Sequence, residues 1–188
     1  YSFQAACYSK EEAEITATIM IKADQAILPY ITVREVGMVP VAYPCPEDAD
    51  DNIISNEPGL YPDTLLPVLD NQVQLRPGEW KSLWISIEGE PELPSGRYSI
   101  SVELLKADGT LLGEGSFTLK VIPASLPEQS LFYTDWFHSD CLAVYYGVEI
   151  FSKEYWDLVE QYLKVAAHYG MNMLLTPLFT PPLDTEVG

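Results

Sequence analysis

Short runs in which apolar and β-branched residues alternate with polar ones fill the chain up to about residue 127, and the period then changes. The runs are Phe3–Ser9, Glu14–Lys22, Ile31–Met38, Ser82–Ile87, Tyr98–Leu105 and Leu111–Val121, each rich in Val, Ile, Thr, Tyr or Leu, the residues that fit a pleated, half-buried surface. Pro77-Gly78, Ser95-Gly96 and Asp108-Gly109 punctuate them, with Gly relieving the strain of a positive φ, so consecutive runs are expected to pair antiparallel. Residues 1–126 therefore read as an immunoglobulin-like β-sandwich. Between Met38 and Ser82 lie Pro40, Pro44, Pro46, Pro58, Pro62 and Pro67, together with Glu47, Asp48, Asp50 and Asp51. Proline supplies no ladder N–H and like charges repel, which predicts an extended surface excursion here. The acidic cluster lacks the alternation and glycine of a helix-loop-helix calcium loop, and reads as solvated.

From Leu131 the grammar is different. Leu131–His138 is apolar and aromatic in the manner of a strand covered on both faces. Ser152 then offers an N-cap oxygen, Glu154 sits where a negative charge favours the helix dipole, and a helix is expected to start at Lys153. Trp156, Val159, Leu163, Ala166 and Tyr169 recur at helical spacing, Glu160 and Lys164 form an i,i+4 pair, and Gly170 ends the run. Met171–Leu175 is a second short apolar strand. Strand, crossover helix, strand is a βαβ unit with parallel strands. One such unit leaves an apolar face and open edges, so residues 127–188 are expected to be the first βαβ unit of a TIM-type barrel whose other units lie beyond this fragment.

Composition narrows the partners. Lys and Arg total 10 against 28 Asp and Glu, and the formal net charge of −18 repels polyphosphate and anionic lipid, which excludes nucleic acid and membrane surfaces as partners. No uninterrupted apolar stretch approaches the ~20 residues needed to cross a bilayer. Cys7, Cys45 and Cys141 give an odd count without CxxC spacing, against a disulfide framework or a cysteine-rich zinc site, and a reducing, cytoplasmic location is expected. The chain starts at Tyr1, which leaves a removed signal peptide open. No motif for a cofactor or a metal is present.

In βα-repeat folds substrates meet the loops after the strand ends. Here these are 136–147, with Trp136, Phe137, His138, Ser139, Asp140, Cys141, Tyr145 and Tyr146, and 176–185, with Thr176, Thr180, Asp184 and a run of prolines. Aromatic faces cover the apolar side of a pyranose while carboxylates, imidazoles and hydroxyls bond its OH groups, so the mixture suits a sugar. His138, Asp140 and Thr180 are the candidate substrate contacts. A histidine satisfied by a backbone carbonyl and an aspartate capping a loop account for the first two equally well. Trp136 reads as barrel core or wall, His168 as a dipole partner at a helix end, and Trp80 and Trp84, which share one face of a strand, as sandwich core. Cys141 beside His138 lacks a third ligand for a metal, with only two His in the chain.

The segments 136–141, 145–148, 168–177 and 179–185 resemble the start of the catalytic barrel of glycoside hydrolase family 123. Arg76-Pro77-Gly78-Glu79, Trp84 and Leu93-Pro94-Ser95-Gly96-Arg97-Tyr98 are similar to its sandwich, and Leu126-Pro127 to its linker. The resemblance implies an amino-terminal β-sandwich joined to a (β/α)₈ barrel, and a β-N-acetylgalactosaminidase-like, retaining hydrolase of N-acetylhexosamine glycans. In that mechanism the 2-acetamido oxygen of the sugar attacks the anomeric carbon, an Asp orients it, and an adjacent Glu protonates the leaving oxygen. No Asp-Glu dipeptide occurs in this sequence, so no catalytic residue is assigned. Two alternatives stay open: a non-catalytic carbohydrate-binding or scaffolding sandwich, and a complete chain that closes its sheet against a second copy.

Overall fold

The structure is a computed structural model that describes residues 1–43, 53, 55–89, 93–125 and 127–176. It divides into two compact units, Tyr1–Ser125 and Leu126–Gly188.

The first unit carries eight strands: β1 Ser2–Tyr8, β2 Ile15–Lys22, β3 Ile31–Val41, β4 Gly59–Pro67, β5 Gln72–Leu75, β6 Trp80–Ile87, β7 Gly96–Leu105 and β8 Leu111–Val121. They form two four-stranded antiparallel sheets, ordered β1-β6-β3-β4 and β5-β2-β7-β8. The sheets face each other across a shared core in which Leu83 and Ile85 of the first meet Ala17, Ile19, Val73, Leu75, Val102 and Leu104 of the second. A second cluster, Ile27, Ile87, Tyr98 and Ile100, closes one end, where Phe3 of β1 meets Phe117 of β8 edge to face at 4.4 Å. Burial of each of these aliphatic side chains contributes about 1.5–3 kcal/mol, which is why the alternating pattern fixes the register of every strand.

All six runs read from the sequence are strands, and β8 has the expected bounds. The pairing differs from the expectation that neighbours in sequence pair. Of the consecutive runs, β3 pairs with β6 and β7 with β8 as expected, whereas β1 pairs with β6 and β2 with β5 and β7, because the chain alternates between the sheets to cover both inner faces. Gly78 and Gly109 have φ of 72° and 84°, as turns require, while Gly96 lies inside β7. The excursion between Met38 and Ser82 contains two further strands, β4 and β5. Pro62 and Pro67 are tolerated in β4 because it is an edge strand, bonded only to β3, the position in a sheet that accommodates proline. The acidic cluster at 47–51 falls outside the described residues. Trp80 and Trp84 are not core. Leu83, Ile85 and Ile87 take the inner face of β6, which sends Trp80, Ser82, Trp84 and Ser86 to the outer one, and Trp80 is 72% exposed.

In the second unit α1 spans Asp140–Tyr146 and α2 spans Lys153–His168. Helix α2 starts where the sequence places it: Ser152 Oγ accepts from Tyr155 N at 3.2 Å, Glu154 occupies the first turn and His168 the last. Lys164 and Glu160 pair at 2.6 Å on the exposed side. The buried stripe is Tyr155 and Val159 with Leu163 behind them, packed on Leu142 and Ala143 of α1 and on Phe137; Trp156 and Tyr169 are exposed. Helix α1 was expected to be loop.

The two expected strands of this unit appear as a single parallel bridge, Trp136 to Leu175, with Phe137 N donating to Leu175 O at 2.8 Å. Three residues back on both segments the same register continues through a side chain. Asn172 Oδ1 accepts from Tyr133 N at 2.8 Å, its Nδ2 donates to Leu131 O at 3.0 Å, and its own N donates to Tyr133 O at 3.2 Å. Gln129 Nε2 adds bonds to Leu131 O and Gly170 O. Two parallel segments without further neighbours have too little ladder and cover to form full strands, and these polar clips hold the register instead.

Ile85→Ala is expected to lower unfolding stability by about 2–5 kcal/mol, as cavity-forming core truncations do, while Trp80→Ala changes it by less than about 1 kcal/mol, both read from urea midpoints. Asn172→Ala should remove hydrogen-exchange protection from the Tyr133 amide and leave that of Phe137, which bonds to backbone, largely in place.

Candidate functional site

The segment 133–140 runs out of the parallel bridge into α1, so the bridge sets where its side chains stand. Trp136 and His138 stack with ring centroids 5.8 Å apart and planes 25° from parallel. The His138 carbonyl accepts from Cys141 N at 3.2 Å and the Ser139 carbonyl from Leu142 N at 3.1 Å, turning the chain into α1 with Asp140 as its first residue. Tyr155, 3% exposed on α2, donates its hydroxyl to Ser139 Oγ at 2.8 Å and ties this turn to the crossover helix. Gly147, with φ 66°, ends α1 in the left-handed conformation that a residue with a Cβ resists.

The structure describes two of the three candidate contacts. His138 and Asp140 lie two residues apart, at the start of α1 and after the bridge at Trp136; Thr180 falls outside the described residues. His138 Nδ1 is buried without a hydrogen-bond partner among the described residues. A buried polar atom left in this condition costs about 1–3 kcal/mol, so it is the atom here with most to gain from a ligand. Trp136 is 67% exposed.

A further pair escaped sequence reading. Tyr133 donates its hydroxyl to Asp135 Oδ2 at 2.8 Å, on the segment that leads to His138. The hydrogen bond, reinforced by the charge of Asp135, raises the Tyr133 pKa above its ordinary value and keeps the phenol protonated. The signal for it was Tyr-x-Asp, two residues that share one face of an extended segment. Tyr146 and Tyr162 share a hydroxyl hydrogen bond at 2.9 Å, which likewise raises the Tyr146 pKa. Among the described residues no group of three or more His, Cys, Asp or Glu side chains is placed to hold a metal ion. The sandwich has a cleft of about 740 Å³ between β1 and β8, with Phe3, Ala5, Cys7, Leu83, Val102 and Leu104 in its walls, lined by residues of the first unit. Burial pushes the Cys7 thiol up, making it a poor nucleophile.

Asp135→Ala, which removes the acceptor as well as the charge, should bring the Tyr133 titration, followed by the NMR shifts of its ring carbons, down toward the ordinary phenol range of about 10. An unchanged midpoint contradicts the hydrogen bond as its cause.

Residues 136–187 match the family model for the catalytic domain of glycoside hydrolase 123. Among solved structures the chain is similar to a family 123 glycoside hydrolase from Clostridium perfringens, described in terms of glycolipid glycan hydrolysis. The TM-score is 0.68 at 14% identity, and the match covers 92% of this chain and 31% of that one. This chain thus spans less than a third of the length of that enzyme, and at such identity the likeness is one of fold. No curated protein matches it. The carboxyl-terminal segment is thus similar to that catalytic domain, and the chain as a whole shares its fold with part of that enzyme.

Proposed function

We propose that this chain is the amino-terminal part of a glycoside hydrolase that cleaves N-acetylhexosamine glycans, those of glycolipids included, by a retaining, substrate-assisted mechanism of the β-N-acetylgalactosaminidase type. The observation that carries the reading is the match of residues 136–187 to the glycoside hydrolase 123 catalytic domain. The parallel register of Trp136 and Leu175 across α2 supports it, since a (β/α)₈ barrel opens with such a unit. In this reading residues 1–126 are an immunoglobulin-like sandwich and residues 127–188 the first βαβ unit of the barrel.

The mechanism asks two things of the protein: an oriented acetamido group whose oxygen attacks the anomeric carbon, and an acid that protonates the leaving oxygen. The sugar is its own nucleophile. With no Asp-Glu dipeptide in the chain, the acid and the orienting carboxylate come from later barrel strands. The role left to the residues present is binding. His138 lies beyond the bridge at Trp136, on the side where a barrel receives substrate, and its unpartnered Nδ1 is suited to a sugar hydroxyl. Asp140 accepts from a second hydroxyl, and Trp136 offers an apolar ring to the C–H face of the pyranose. Thr180 is a third polar contact, eight residues after Asn172 in the chain.

The test is release of p-nitrophenol from aryl N-acetyl-β-galactosaminide and aryl N-acetyl-β-glucosaminide by the longer protein that contains this chain. At least one is expected to be hydrolysed, the 188-residue chain alone is expected to be inactive, and His138→Ala in the longer protein should lower kcat/KM by about tenfold or more. Hydrolysis of neither, alongside hydrolysis of a glycoside lacking the acetamido group, contradicts the substrate-assisted mechanism.

A further inference from the structure

The outer face of the sheet β1-β6-β3-β4 is built unlike an ordinary solvated face. Strand register arranges its side chains in rows across the sheet. Tyr8 stands opposite Trp80, Ala6 opposite Ser82, Gln4 opposite Trp84, and Ser2 opposite Ser86, with Arg34 and Thr32 of β3 continuing the last two rows. Tyr8 and Trp80 lie with ring centroids 5.2 Å apart, tilted by 49°, and both are open to solvent. Trp84 is half-buried and its indole N–H is spent on Ser86 Oγ at 3.2 Å, which leaves its contribution to any ligand as a ring surface. Between the two aromatic rows the side chains are short, Ala6 and Ser82, so the face carries a shallow trough walled by rings.

The polar groups on this face decide the ligand. Ser82 Oγ donates to Gln4 Oε1 at 2.7 Å, a contact that uses the acceptor of the amide and leaves its two donors for another partner. Arg34 is offset by Glu88 at 3.9 Å, so the row that carries Trp84 presents little net charge in a chain of −18. An apolar protein surface laid here would bury those amide donors and the serine hydroxyl unpaired, and a polyanion is repelled by the chain as a whole. A hydroxyl-rich ring meets both demands, with C–H faces for Trp80 and Tyr8 and OH groups for Gln4 and Ser82. Trp80 and Trp84 are four residues apart on one strand, roughly 13 Å, a span bridged by a short oligosaccharide and not by a single sugar.

We propose that the outer face of this sheet is a binding surface for neutral oligosaccharides, with Trp80 and Tyr8 as its stacking platform, Trp84 as a second one and Gln4 and Ser82 as its hydrogen-bonding groups. It lies wholly within the sandwich and works without the catalytic unit, so it stands or falls independently of the proposed hydrolase activity.

The test is titration of the 188-residue chain with two probes, the tetramer of β-1,4-linked N-acetylglucosamine and cellotetraose, followed by the indole N–H resonances of Trp80 and Trp84 and by tryptophan fluorescence. At least one probe should shift both resonances. Trp80→Ala and Tyr8→Ala should each weaken binding about tenfold or more, and Trp80→Phe, which keeps a ring, should retain part of it. Met20→Ala, on the outer face of the other sheet, should leave the affinity within about twofold, and the amide spectrum of each variant reports that the sandwich is folded. No saturable shift with either probe up to about 5 mM overturns the proposal, as does binding that Trp80→Ala leaves unchanged. A concentration-dependent dimer abolished by Trp80→Ala also overturns it, by assigning the face to a second copy of this chain.

Discussion

A parallel pair of segments imposes a constraint that an antiparallel pair does not: the chain must travel back the length of the first segment before the second can begin. In residues 127–176 that return is α2, and most of the local structure follows from it. Tyr155, Val159 and Leu163 point inward because the crossover packs on Phe137 and α1, and the Tyr155 hydroxyl reaches Ser139 because the helix starts beside the end of the first segment. Asn172 holds the far end by taking the Tyr133 N–H and supplying the Leu131 carbonyl, the two bonds that a neighbouring backbone would otherwise make. His138 and Asp140 then follow directly on the pairing at Trp136 and Leu175.

The sandwich answers a different problem, that of two sheets which must each hide one face. Leu83, Ile85 and Ile87 fill the inner side of β6, and the same two-residue period then leaves no inward place for Trp80 or Trp84. An aromatic row on the outer side is a consequence of which set of residues the core accepts. Natural sheets more often fill such a face with charged and short polar residues, so large rings retained there call for a reason, and an amphipathic ligand supplies one.

Much of this was legible in the chain. Period-two runs located six strands, and the start of α2 was readable from Ser152 and Glu154 because a cap is a local device. What was not legible depends on partners distant in sequence. Pro62 and Pro67 argue against a strand unless the strand is known to lie at an edge, and edge position is a property of the sheet. In β6 the aliphatic phase Leu83, Ile85 and Ile87 alternates with Trp80, Ser82, Trp84 and Ser86, and the two large rings read as core although serines share their phase. Helix α1 is seven residues that include Val144, Tyr145 and Tyr146, too short and too rich in β-favouring side chains for a helical period to emerge. The resemblance in residues 136–185 located the candidate site, whereas the unpartnered state of His138 Nδ1 is visible only once the chain is folded around it.

The most direct measurement is a crystal structure of the longer protein containing this chain, grown with N-acetylgalactosamine. The account predicts Trp136 opposite Leu175 in parallel strands flanked by further βα units, with the sugar within hydrogen-bonding distance of His138 Nδ1 or the Asp140 carboxylate. Strands 133–137 and 172–175 running antiparallel or apart, or a sugar bound in that domain at the opposite end of those strands, would contradict it.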